Sequence, residues 1–257
     1  MLTQLEMDEF KGFLKEKQYQ EYHPETIDKI KKFGWYTLIE DHLSKTCDSK
    51  RADYILENLN YNNLKVLDIG ANLGYFSLSA ALNGATEVLS VESDKVAIEF
   101  IKLQLKLLGM EKVVKTQDFP FDFGVKQNKT YDVILCLNVL HHIGRYFGDK
   151  DLNLEEAKTK LIEYLNLLSC STKYCWFQIG FNWKGNIEFP LFDNGLKSEL
   201  IEFVVSNISD YWEVKKIAIF NDETMRYSSN NYKMDRIEEL GEFGNRPLFL
   251  LESKIKL

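Results

Sequence analysis

Residues Lys65 to Leu78 read KVLDIGANLGYFSL, an apolar run around one carboxylate, then two glycines four positions apart, then a helix-like pattern. Val66, Leu67 and Ile69 suit a buried strand, and Gly70 and Gly74 let a ligand approach the backbone closely. Asp68 falls where the strand meets the turn. A carboxylate there suits a ligand carrying an ammonium group or a cationic sulfur, whereas a pyrophosphate wants only N–H donors at a helix start. The dinucleotide pattern GxGxxG would need glycine at 70, 72 and 75, and this chain has Gly70, Asn72 and Tyr75. Hydride transfer is therefore not expected.

Three later apolar runs also end in polar groups. Glu92, followed by Ser93, closes EVLSVE about 22 residues beyond Gly70, the usual reach for a carboxylate on ribose hydroxyls. Asp118 and Phe119 follow Gln117 and offer a carboxylate to an exocyclic amine and an aromatic face to a base, a combination that suits adenine. The run YDVILCLNVL, from Tyr131, leads through Asn138 to His141 and His142, beside the expected reacting centre. An imidazole of ordinary pKa, ~6.5, is neutral near pH 7 and can serve as general base toward an acceptor hydroxyl. In a chain that stays extended, adjacent residues point to opposite sides, so only one of the two histidines should face the pocket. An acceptor oxygen that is already anionic needs no base; histidine then becomes a donor, with Arg226 and Arg246 in the tail as further candidates to hold the oxyanion.

The elements that must position these groups alternate strand and helix from Leu64 onward, which implies an α/β fold with a parallel sheet. Ligands of such sheets bind beyond the carboxyl ends of the strands, where these residues fall. Residues 1–60 read as a helical cap, including PETIDKIKKFGWYTLIEDHL as one helix, and 61–257 as one structural unit. Trp212 to Phe220 and Pro247 to Lys254 suit a closing antiparallel pair.

The chain has 257 residues, 45% hydrophobic and 28% charged, enough for one substantial core, and its net charge of −7 argues for a small-molecule acceptor over nucleic acid. Four cysteines without CxxC spacing read as reduced and structural, and four histidines without ligand spacing give no expectation of a metal. The acidic start lacks an apolar signal region, and no apolar stretch approaches ~18 residues, so a cytoplasmic protein without a membrane span is expected.

Taken in order, VLDIGANLGYFSL, VESD, QDF and YDVILCLNVLHHI resemble the successive motifs of class I S-adenosylmethionine-dependent methyltransferases, over roughly Leu64 to the end. The resemblance implies a Rossmann-like seven-stranded sheet with helices on both faces and a reversed last strand. It also implies S-adenosyl-L-methionine as cofactor and S-adenosyl-L-homocysteine as product. On this resemblance Asp68, Gly70 and Asn72 surround the methionine part, Glu92 holds the ribose, Asp118 and Phe119 the adenine, and Asn138 borders the sulfonium, with Gly74 and Ser93 as further cofactor contacts. Because the sulfonium loses its charge as it reacts, Asp68 is expected to act at the methionine end and not at the methyl group.

QYQEYHPET near the start, NVLHHI and GNRPLF are similar to segments of methyltransferases from bacterial surface-polysaccharide loci. Those include O-antigen chain-terminating enzymes and capsule enzymes that methylate phosphate-like groups such as phosphoramidate. This narrower resemblance implies O-methylation of a small phosphorylated or sugar-linked acceptor with substrate contacts at Tyr19 and Gln20, beside Arg226 and Arg246 as acceptor contacts and His141 or His142 as the catalytic residue, which are read from the residues themselves. Among the aromatic residues around the fifth strand, Trp183 is the candidate for the acceptor pocket. A sugar hydroxyl acceptor, a wobble-uridine tRNA acceptor, and a non-catalytic S-adenosylmethionine-binding partner or sensor remain as alternatives.

Overall fold

The computed structural model describes residues 2–15, 20–39, 47–118, 120–125, 130–230, 234 and 236–256. Its contacts divide the chain into two compact units, residues 1–119 and 120–257.

In the first unit the helices α1 (Gln4–Leu14), α2 (Pro24–Lys32) and α3 (Asp48–Asn58) precede β1 (Lys65–Ile69), α4 (Tyr75–Leu82), β2 (Glu87–Val91), α5 (Lys95–Leu108) and β3 (Val114–Gln117). The three strands are parallel in the order β3-β2-β1, with Asp68 opposite Ser90 and Val91 opposite Gln117. Val66 to Ile69 are all buried, the continuous apolar run of a strand covered on both faces. Asp94 caps α5, its side chain accepting the N–H groups of Val96 at 2.8 Å and Ala97 at 3.3 Å, and Gly109 ends that helix with φ 71°. The N-terminal helices pack on α5 through Phe10, Leu14, Tyr22, Ile30, Phe100 and Leu103, and the Phe10 and Phe100 rings stack at 5.2 Å. Burial of each such side chain stabilises by about 1.5–3 kcal/mol. α2 is shorter than its helical pattern suggests. It stops at Lys32, because Gly34 takes φ 72° and the chain re-forms only a 3-10 turn at Tyr36–Leu38.

The second unit contains β4 (Tyr131–Leu137), α6 (Leu154–Leu168), β5 (Thr172–Gln178), α7 (Lys197–Ile208), β6 (Trp212–Asn221), β7 (Arg226–Ser228), α8 (Gly241–Asn245) and β8 (Leu248–Ser253). Its strand order is β4-β5-β8-β6-β7; β4 and β5 are parallel, and the remaining pairs are antiparallel. β8 thus runs against both β5 and β6, the closing pair read from the tail. The mixed α/β architecture is as expected, with eight strands among the described residues in place of seven. The addition is β7, three residues that turn back on the end of β6 as a hairpin. No helix among the described residues is long and apolar enough to cross a membrane.

Candidate functional site

The turn after β1 commits all of its own donors. The N–H groups of Gly70 and Ala71 go to the Val91 carbonyl at 2.8 and 3.1 Å, and that of Gly74 to the Ala71 carbonyl at 2.8 Å. The Asn72 N–H goes to Glu92 Oε2 at 2.9 Å and the Leu73 N–H to Gln20 Oε1 at 2.8 Å. Three of the five residues take positive φ: Gly70 at 71°, Asn72 at 51° and Gly74 at 77°. Asparagine tolerates this conformation better than most residues with a side chain. No backbone N–H from Gly70 to Gly74 is left to cradle a phosphate, so the backbone here offers a ligand carbonyl acceptors, beside the carboxylates of Asp68 and Glu92. Such a set fits an ammonium group and hydroxyls, and does not fit a pyrophosphate.

Two of the three carboxylates expected in this unit, Asp68 and Glu92, are tied into its hydrogen bonds. Asp68 is buried, accepts the Ser77 hydroxyl at 2.6 Å, and has its pKa pushed up by burial to about 7, against the lowering effect of that hydrogen bond. Ser77 Oγ also lies 3.0 Å from Ser90 Oγ. Glu92 accepts the N–H groups of Ser93 at 2.6 Å and Asp94 at 2.9 Å in addition to that of Asn72. Oε1 takes the Ser93 and Asp94 N–H groups and lies 3.4 Å from the Ser93 hydroxyl, while Oε2 takes only the Asn72 N–H, so room for a hydroxyl remains at Oε2. Asp118 is exposed just past β3 and Ser93 is exposed beside Glu92. Phe119 and Tyr19 lie outside the described residues. Gln20, read from sequence as an acceptor-binding residue, is buried and commits its amide oxygen to the turn.

In the second unit Asn138 ends β4 with φ 63°, and its side chain joins a closed ring. Arg246 Nη1 donates to Asn138 Oδ1 at 2.8 Å, Asn138 Nδ2 donates to Gln178 Oε1 at 3.1 Å, and Gln178 Nε2 donates to the Arg246 carbonyl at 2.9 Å. Arg246 is buried and also pairs with Glu242 at 2.7 Å, so its charge is partnered inside the protein. Arg226 is exposed at the start of β7, opposite Asn221.

The left-handed Asn138 removes the premise that the histidines sit on extended chain. Leu140–His142 close into a 3-10 turn, and the two imidazole rings lie 4.1 Å apart. His141 is buried and accepts the Gly180 N–H through Nδ1 at 3.2 Å. Burial, reinforced by His142 and Arg246, holds its pKa well below the ordinary value; burial and Arg246 bring His142 down to about 4. A neutral imidazole whose Nδ1 accepts carries its proton on Nε2. His141 is therefore a donor at Nε2. Gly180 has no room for a side chain: a Cβ there would lie 2.9 Å from both Arg246 Nη2 and His141 Nε2 and 3.0 Å from Glu242 Oε1. Trp183 is buried, its indole N–H donating to the Ile143 carbonyl at 2.8 Å, with the Lys184 ammonium 4.1 Å from its ring centre.

Several of these partners escaped sequence reasoning. Ser77 and Gln104 are polar residues on otherwise apolar helix faces, Gln104 four places after Phe100, and a buried polar residue in such a stripe signals a specific hydrogen bond. Gln178 ends β5 in register with Leu137, the residue before Asn138. Gly180 and Glu242 had no local signal.

A family model described as a methyltransferase domain matches residues 67–161. Over 91 residues the chain is 34% identical to the ribosomal protein L11 methyltransferase of Prochlorococcus marinus (strain MIT 9215), covering 34% of this chain and 29% of that protein. Over 150 residues it is 27% identical to the ubiquinone biosynthesis O-methyltransferase of Rickettsia prowazekii (strain Madrid E), covering 55% of this chain and 53% of that protein. The chain thus spans 29% to 53% of the length of these curated relatives. A solved structure of WbdD shares the fold with TM-score 0.59 at 15% identity, over 95% of this chain and 41% of that one. A Listeria monocytogenes chain described as a candidate S-adenosylmethionine dependent methyltransferase superimposes with TM-score 0.50 at 13% identity, over 81% of this chain and all of that one. Residues 67–161 thus match a methyltransferase domain, the chain shares the fold of S-adenosylmethionine-dependent methyltransferases, and the cofactor this match implies is S-adenosylmethionine.

Proposed function

We propose that this chain is an O-methyltransferase whose acceptor is an already anionic oxygen, phosphate-like or phosphoramidate-like, on a small phosphorylated or sugar-linked molecule of cell-surface polysaccharide biosynthesis. The cofactor, when bound, supplies the electrophilic methyl group. In the first unit, Asp68 and the turn at 70–74 hold the methionine end, Glu92 and Ser93 the ribose, and Asp118 the adenine amine. In the second unit, Asn138, His141, His142 and Trp183 are the groups that meet the acceptor.

The observation that carries the reading is the hydrogen bond that His141 Nδ1 accepts from the Gly180 N–H at 3.2 Å. With Nδ1 occupied by the Gly180 N–H, its Nε2 donates and cannot take a proton from an acceptor. A neutral sugar hydroxyl needs a base as it attacks; an anionic oxygen needs only donors and exclusion of water. His142, whose pKa is brought down to about 4, is a weak base near neutrality and leaves that preference in place. The surface-polysaccharide assignment rests on QYQEYHPET, NVLHHI and GNRPLF.

The test is S-adenosylhomocysteine formation over an acceptor panel: cytidylyl phosphoramidates, sugar phosphates, neutral glycosides, a catechol and total tRNA. Turnover on the first two classes supports the proposal; turnover confined to neutral glycosides or tRNA contradicts it.

A further inference from the structure

We infer that Gln20 and Gln104 are positioning residues that grip Leu73 from both sides, and that through them the segment from Gln20 to Thr26 sets the affinity for the cofactor. The inference rests on the reading of the turn at 70–74 as the cofactor turn, and extends it to side chains from other elements.

Leu73 sits between two residues of positive φ, Asn72 at 51° and Gly74 at 77°, and the bond from the Gly74 N–H to the Ala71 carbonyl that spans it leaves its own N–H and carbonyl unengaged. Both of its polar backbone groups end on side chains. The N–H goes to Gln20 Oε1 at 2.8 Å, and the carbonyl accepts Gln104 Nε2 at 2.9 Å. Gln104 is itself fixed, its Oε1 accepting the Thr26 hydroxyl at 2.5 Å. The Leu73 carbonyl, which can only accept, decides which way round the Gln104 amide lies: the NH2 faces that carbonyl, and Oε1 is left to accept the Thr26 hydroxyl. All four residues are buried, Gln104 at 1% and Thr26 at 0% exposure, so neither glutamine can be replaced by water without rearrangement.

The segment carrying Gln20 is anchored independently of Leu73. Glu21 accepts the N–H groups of Asp48 at 3.2 Å and Ser49 at 3.0 Å, which are open donors at the start of α3, and Tyr22 lies 5.6 Å from the Phe100 ring. A fixed segment thus reaches a turn that needs an outside hold. Removing the acceptor at position 20 leaves the buried Leu73 N–H without its partner, and the turn must shift to find another. That shift moves Asn72, whose N–H meets Glu92 at 2.9 Å.

The experiment is calorimetric titration of S-adenosylhomocysteine into the full chain and the variants Gln20→Met, Gln20→Glu, Gln104→Met and Thr26→Val, each checked by its own melting curve. Methionine keeps the size of glutamine and removes its hydrogen bonds; glutamate at position 20 keeps an acceptor. Expected are a roughly 10-fold loss of affinity for Gln20→Met and Gln104→Met, a smaller loss for Thr26→Val, and recovery to within about 3-fold for Gln20→Glu. In turnover, the cofactor KM should rise with kcat at saturating cofactor unchanged. Wild-type affinity in folded Gln104→Met and Thr26→Val overturns the inference, as it does in Gln20→Met. A wild-type chain that fails to bind S-adenosylhomocysteine overturns the cofactor reading itself, a distinguishable result.

Discussion

His141 accepts the Gly180 N–H through Nδ1 at 3.2 Å, and that one bond decides what the imidazole can do: its proton sits on Nε2, and it donates. His141→Asn separates the two nitrogens, because the short amide can take the Gly180 N–H but cannot reach where Nε2 lies. The variant should stay folded and lose methyl transfer by about 10-fold to 100-fold, the range of a lost hydrogen bond to a charged group. Nitrogen-15 NMR of the wild type should show a protonated Nε2 and an unprotonated Nδ1. The opposite tautomer would remove the basis of the anionic-acceptor reading.

Gly180→Ala tests the same cluster from the backbone side. A Cβ would be 2.9 Å from Arg246 Nη2 and His141 Nε2, closer than a carbon approaches such atoms, so the cluster must spread. A stability loss of about 1–3 kcal/mol is expected in denaturant melts, with a larger relative loss of turnover. Unchanged stability and turnover would mean the cluster has slack the geometry does not show.

Asp68 makes a prediction with a definite sign. Burial raises its carboxyl from 3.8 to about 7, so between those values the folded unliganded protein holds a proton that the unfolded chain has released. Its contribution to stability is complete below the lower value and is lost as pH rises through the higher one. Asp68→Asn cannot ionise and escapes that loss. At about pH 8 it should melt higher than the wild type, by up to ~4 kcal/mol in stability, while binding S-adenosylhomocysteine more weakly. In the wild type, affinity should fall as pH drops below about 7, because the carboxyl must ionise to meet the ligand ammonium. Superimposable melting and binding of the two proteins across this range would contradict the assignment.

Glu92→Gln removes charge and replaces one acceptor oxygen by a donor, yet three backbone N–H groups converge on that carboxylate at 2.6, 2.9 and 2.9 Å. At least one must lose its partner. Cofactor affinity should drop by roughly 10-fold or more in calorimetry; wild-type affinity would place the ribose elsewhere.

Much of this was readable from residue patterns. The buried run of β1, the caps of α5 and the alternation of strands and helices fixed the fold class, because they follow from local periodicity. The placement of Asp68 and Glu92 was legible because both stand where a strand ends. The helix predicted from Pro24 ran too long because Gly34 stops it while the apolar pattern continues. The geometry of the histidines was not legible: it turns on Asn138 adopting left-handed φ, after which extended-chain alternation no longer applies. Arg246 looked like a free oxyanion receptor, and only the fold brings Glu242 and Asn138 to it. Gln20 looked like an acceptor ligand, and its contact with Leu73 crosses 53 positions of sequence.

The central claim is transfer to an anionic oxygen without a base, and the pH dependence of kcat tests it most directly. With a permanently charged phosphoramidate acceptor and cofactor held saturating, so that Asp68 titration does not enter, kcat from S-adenosylhomocysteine release should stay level between about pH 6 and pH 8.5. A tenfold fall per pH unit on the acid side within that range, or a comparable kcat on the neutral glycoside counterpart, would show a base at work and would contradict the account.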